Sequence, residues 1–156
     1  MAKVVNTQAA VMATDIMRLF DDAFAATENT RLLGGGAEPV YLPADKDSGC
    51  HRIIFTQDYA ASALHEIAHW CVAGRARRQL EDYGYWYAPD GRSLCQQQEF
   101  ERVEVRPQAL EWLFAEAVGL RFRVSADNLA AGLGASHRFK EAIHAQVLDF
   151  CRNGVN

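Results

Sequence analysis

What the sequence lacks narrows it first. Its four cysteines, Cys50, Cys71, Cys95 and Cys151, are scattered, and none stands in a Cys-x-x-Cys pair. That argues against a structural zinc cluster or a redox dithiol of the usual spacing; Cys71 is expected to be a core thiol. No basic segment followed by an apolar run opens the chain, so no secretory signal is expected. No stretch approaches the roughly 18 consecutive apolar residues of a membrane span. The expected location is cytoplasmic, with reduced thiols. Positive charge is not in excess either: the net charge is −4 and the pI about 5.7. A general attraction to nucleic-acid phosphates is not expected, and neither is a membrane partner. Internal repeats and low-complexity segments are also absent.

What is present suits a folded chain. At 156 residues, with 49% hydrophobic and 23% charged side chains, it can bury a core without staples, as one domain covering 1–156. Residues Ala9 to Ala26 place Val11, Met12, Ile16, Leu19, Phe20 and Phe24 at helical spacing, which predicts an amphipathic helix. Gly34-Gly35-Gly36 is expected to end local regularity. Val40 to Leu42 and Arg52 to Phe55 read as two short strands, paired with each other, and Ala44 to Gly49 as a turn. A helix is predicted from about Ala60 to Ala73, ending near Gly74. Arg75, Arg77 and Arg78 then suit a helix C-terminal end, with an anion or acidic-partner site as the second reading. Tyr83 to Arg92 interleaves aromatics with glycine. It predicts a strand followed by a Pro-Asp-Gly turn, serving either a packed sheet edge or an aromatic-lined groove. Gln96 to Val118 is helical in period but contains Pro107. Either the helix starts near Arg106 or it is longer and kinked. Leu120 to Asn128 is irregular or a short strand, and His137 to Arg152 reads as a closing helix. Several helices with a few short strands make an α+β pattern, a single domain of helices around a small mixed sheet.

The chemistry sits in Ala61-Ser62-Ala63-Leu64-His65-Glu66-Ile67-Ala68-His69-Trp70. On a helix, His65 and His69 lie about 40° apart, one turn above the other, so two imidazoles reach one cation. This zincin-like His-Glu-x-x-His pattern points to a divalent metal. A third ligand must come from elsewhere. The residue six past His69, where a longer metallopeptidase pattern has a third histidine, is Arg75. A downstream carboxylate is the better expectation, from Glu99, Glu101, Glu104, Glu111 and Glu116. Glu104 ranks first, since Gln108 and Glu111 follow it at spacings of four and seven and form a polar stripe; Glu101 ranks second. Glu66 lies about 100° from His65 on the wheel. It suits a metal-bound water better than the metal, as a hydrolase's general base or as a group that holds a water, a histidine or a cationic substrate. His51, His137 and His144 show no ligand spacing. The pattern alone does not choose zinc from iron.

Four blocks then carry a resemblance. They are Ser62 to Gly74, Tyr41-Leu42-Pro43-Ala44-Asp45, Asp82 to Arg92, and Val103-Glu104-Val105-Arg106-Pro107-Gln108-Ala109-Leu110. In these blocks, and over nearly its whole length, the chain resembles the elongation factor P hydroxylase family. The resemblance implies a non-haem Fe(II) hydroxylase that uses dioxygen on the β-lysylated lysine of elongation factor P. It implies an α+β fold distantly reminiscent of zincins, with His65, His69 and Glu104 as metal ligands. The long cationic substrate gives Glu66, Asp90, Tyr85 and Trp86 a use. The chain ends at Asn156, earlier than expected of the family, which leaves any further C-terminal docking contribution open. The competing readings are a zinc metallopeptidase with Glu66 as general base and a non-catalytic metal-binding interaction module.

Overall fold

The structure, a computed structural model, describes residues 11–85, 90–126 and 128–155. Among these, four α-helices pack around a three-stranded mixed sheet, the α+β arrangement expected. Helix α1 (Ala13–Glu28) begins where the Asp15 carboxylate accepts from the Met12 amide, and it ends on Asn29 in a left-handed conformation. Ile16 and Phe20 are buried and Phe24 packs beside them. Leu19 was expected on that face but is 67% exposed, because it sits about 100° around the helix from Phe20.

The glycine run departs from expectation. Gly34, Gly35 and Gly36 belong to strand β1 (Thr30–Gly36), which pairs in parallel with β3 (His51–Thr56). The register shifts between Leu33 and Gly36, a bulge that Gly35 meets at φ 90°. A Cβ on Gly34 would stand 2.8 Å from the Gln57 carbonyl oxygen and 3.0 Å from the Phe55 ring. Glycine here permits close strand approach rather than ending the strand. Strand β2 (Val40–Leu42) pairs with β3, as predicted, and runs antiparallel to it, giving the order β1-β3-β2. The expected turn follows β2: the Asp45 carboxylate accepts from the amides of Asp47 and Ser48.

Helix α2 (Ala60–Arg77) is interrupted at Gly74, with φ 72° and ψ 171°, close to the predicted end. Of the arginines beyond it, Arg77 and Arg78 donate to the backbone carbonyls of Tyr83 and Trp70. Arg78 lies 3.5 Å over the Trp70 ring, donates to the Trp70 carbonyl and pairs with Glu28. The strand expected from Tyr83 does not form there. Asp82 and Tyr83 adopt φ 45° and 58° in a 3-10 turn (Glu81–Gly84), and the Asp82 carboxylate accepts from the Tyr41 amide. Two successive left-handed residues bend the chain, while Asp82 satisfies a donor of β2. Trp86 and its successors through Pro89 lie outside the described residues. Asp90 accepts from the amides of Gly91 and Ala130.

Helix α3 (Leu94–Val118) takes the longer of the two predicted forms, with Pro107 buried inside it. Ser93 and Gln96 form a reciprocal capping box that fixes its start. Helix α4 (His137–Asn153) starts on Ser136 and buries Phe139, Ile143 and Phe150. One apolar cluster joins α1, α2 and the sheet; a second joins α3 and α4. Cys71 packs against both, in keeping with a core thiol. No helix among the described residues is long and apolar enough to cross a membrane.

Candidate metal centre

Helix α2 sends Ala63, Leu64, Ile67 and Trp70 into the first cluster. Its remaining face meets α3 and carries His65 and His69. Glu104 of α3 comes to the same point. His65 Nε2 and His69 Nε2 are 3.1 Å apart, and His69 Nε2 is 3.1 Å from Glu104 Oε1. His65 Nε2 is 3.9 Å from Glu104 Oε2. The glutamate is only 2% exposed.

These separations bear on whether a metal fits. Bonds of about 2.0–2.2 Å from a divalent cation to imidazole nitrogen and carboxylate oxygen set adjacent donors roughly 3.0–3.5 Å apart. Two of the three separations agree, and the third is slightly long. The donor set, two imidazoles and one carboxylate, suits either zinc or ferrous iron. The group also calls for positive charge. Burial acts to lower the His65 pKa, but the Glu111 hydrogen bond and the charges of Glu104, Glu66 and Glu111 raise it to about 10. Burial likewise pushes the Glu104 carboxyl up, yet the two imidazoles and Gln108 hold it down at about 2. His65, His69 and Glu104 could thus hold a metal ion.

The other carboxylates separate by task. Glu111 is buried and its Oε2 lies 2.7 Å from His65 Nδ1. Glu101 accepts from the Ser136 amide and hydroxyl, tying α3 to the start of α4. Glu99 pairs with Arg102 on the surface, and Glu116 accepts from Trp112. Glu66 is half-buried, and no hydrogen bond to it is found among the described residues. Burial raises its pKa, the two imidazoles lower it, and Glu104 and Asp82 raise it further. His51 accepts from the Ala44 amide, His137 pairs with Glu141, and His144 lies near Trp112.

Sequence reasoning missed one feature, the part that Gln108 plays. Gln108 donates 3.1 Å to Glu104 Oε2 and 2.6 Å to the Ser125 carbonyl, while its own oxygen accepts from the Ser125 amide. Its spacing from Glu104 was the available signal. A cavity of about 50 Å³ also opens beside His69, with Tyr83, Tyr85, Arg77, Val103 and Pro107 among its walls. Tyr83 and Tyr85 border this space together with His69. Tyr85 already has the Arg77 guanidinium 3.5 Å over its ring. The Tyr83 hydroxyl is buried without a hydrogen-bond partner among the described residues.

Comparison with known proteins meets this geometry. The protein-family model described as "Elongation factor P hydroxylase" matches residues 19–156, a span that includes both helices of the centre. The "Elongation factor P lysine hydroxylase" of Haemophilus influenzae is 51% identical over 141 residues, covering 90% of this chain and 79% of that protein. The sequence blocks, the converging His65, His69 and Glu104, and a match of this extent agree: the chain belongs to the elongation factor P hydroxylase family.

Proposed function

We propose that this chain is a non-haem Fe(II)-dependent hydroxylase of the β-lysylated lysine of translation elongation factor P, with residues 1–156 acting as one catalytic domain in the cytoplasm. The observation that carries the reading is the convergence of His65, His69 and Glu104 in a member of this family. These three residues would hold the metal, and the ferrous ion would supply the chemistry that activates dioxygen. The reaction inserts one oxygen atom into a C–H bond of the substrate and releases the other as water. Two electrons and two protons come from an external reductant.

The chain's own residues explain why a lysyl side chain suits the site. Glu66, Glu104 and Glu111 place three carboxyl groups around two imidazoles. Their oxygens, and the charge they carry when ionised, suit the ammonium groups of a β-lysyl-lysine. Glu66 stands next to the ligand pair with no hydrogen bond among the described residues, and it is assigned to the substrate or to a water at the centre. Tyr83, with its unpartnered buried hydroxyl, forms part of the wall beside His69. Trp86 lies outside the described residues. Asp90 is engaged in its turn, so it is not assigned to the substrate.

The test is anaerobic reconstitution with Fe(II), addition of β-lysylated elongation factor P and a reductant, and exposure to air. Mass analysis is expected to show one added oxygen atom, lost in His65→Ala and His69→Ala. No mass gain under saturating iron would overturn the proposal. So would zinc-dependent peptide cleavage that disappears in Glu66→Gln, the signature of a metallopeptidase. Metal binding without either reaction would favour an interaction module.

A further inference from the structure

Each ring nitrogen of His65 has a carboxylate of α3 on its side. Its Nε2 faces His69 and Glu104, at 3.1 and 3.9 Å. Its Nδ1 stands 2.7 Å from Oε2 of Glu111, which is 7% exposed. Once a cation takes the place of its second ring proton, the imidazole has one N–H and one lone pair. A buried carboxylate accepts but does not donate when ionised, so it places the N–H on Nδ1 and leaves the lone pair on Nε2. That lone pair points at the spot where three donors converge.

The arrangement is written into α3. Glu104, Gln108 and Glu111 fall within about 60° of one another on the helical wheel. Gln108 holds Glu104 through a 3.1 Å hydrogen bond and is itself fixed at both ends by Ser125. One helix stripe therefore supplies a ligand, a support for that ligand and a support for a ligand on the facing helix.

We propose that Glu111 is a positioning residue of the metal centre: it accepts the Nδ1–H of His65, fixes that ring's tautomer and orientation, and strengthens Nε2 as a donor to the divalent cation. This rests on the metal reading given above. Outer carboxylates of this kind contribute about 10–100-fold to metal affinity. Glu111 meets the ring on Nδ1, away from the point where His65, His69 and Glu104 converge, so its effect on the cation passes through His65.

The test uses the full chain and Co(II), titrated by its visible absorption against a competing chelator. Glu111→Met, of similar length but without an acceptor, is expected to weaken Co(II) binding by about 10–100-fold. Glu111→Gln, which keeps a neutral acceptor, is expected to lose less. Binding by Glu111→Met as tight as that of the unsubstituted chain would overturn the proposal. A second measurement covers the case in which Glu111→Met fails to fold. Proton NMR of the unsubstituted Zn(II)-loaded protein is expected to show the His65 Nδ1–H as a strongly downfield resonance, the mark of a hydrogen bond to a carboxylate, assigned by its loss in His65→Ala. An Nδ1–H without that downfield shift would overturn the proposal. If the unsubstituted chain binds no Co(II), or His65→Ala binds it unchanged, the metal reading fails and this inference falls with it. If His65→Ala abolishes binding while Glu111→Met leaves it intact, only the positioning role fails.

Discussion

Arg78 shows how much one side chain can settle. Its guanidinium covers Trp70, donates to the Trp70 carbonyl and meets Glu28 of α1. It is largely shielded from water, so these contacts are worth more than a surface pair. Arg78→Ala is expected to destabilise the fold by about 2 kcal/mol, read as a lower midpoint in urea with an unchanged slope. The residue scale also shows what the sequence could reveal. His65 and His69 were legible because helical period and ligand spacing coincide, and Glu104 because it led a polar stripe. Glu111 stood in the same stripe and was considered only as a ligand. Nothing in a sequence tells a carboxylate on Nδ1 from one on the metal, because the difference is set by how α3 meets α2. Glu101 could be separated from Glu104 only once Ser136 was seen beside it.

At the scale of elements, β1 and α3 are the instructive cases. Glycine permits both turns and tightly packed bulged strands, so Gly34-Gly35-Gly36 gave no local sign of its partner β3. Gly34→Ala is expected to cost about 1–3 kcal/mol through overpacking against Gln57 and Phe55, measured as a loss in thermal or urea stability. An unchanged stability would show that the strand can separate from β3 at that point. Pro107 left the extent of α3 open for a similar reason. A proline removes one amide donor but does not reveal whether packing compensates. Here α3 packs on both α2 and α4, and the Ser93–Gln96 box secures the half before the proline. Among the described residues, the predicted strand does not form at Tyr83 and Gly84, because aromatic content favours extended structure only until a tertiary demand intervenes. That demand was the Tyr41 amide, which Asp82 meets.

For the molecule as a whole, two conditions should change stability. The proposed centre joins α2 to α3, so a bound metal stabilises the folded chain. At a free metal concentration 100 times its dissociation constant, linkage gives about 2.7 kcal/mol. Stripping the metal is then expected to lower the melting temperature by about 5–10 °C, by calorimetry with and without chelator. Alkali acts through buried phenols. Burial raises the Tyr41 pKa to about 12, with Arg78 partly opposing, and burial and the Glu66 charge raise that of Tyr83 as well. A pKa raised in the fold gives stability that is present below the unfolded value, about 10, and is lost as pH climbs through 12. Tyrosinate absorbance is expected to rise in two stages, the later one together with loss of helical circular dichroism. A single stage near pH 10 with the helices intact would contradict this.

The seam between α2 and α3 also has a kinetic meaning. His69 and Glu104 are distant in sequence and meet only when the two helices dock. Isolated helix formation takes about a microsecond or less, whereas a complete ligand set must wait for that long-range encounter. In refolding with Co(II) present, colour should therefore develop after the helical signal, and its lag would time the docking of α3 onto α2. The ion would serve as a clock for the last large assembly step of the chain.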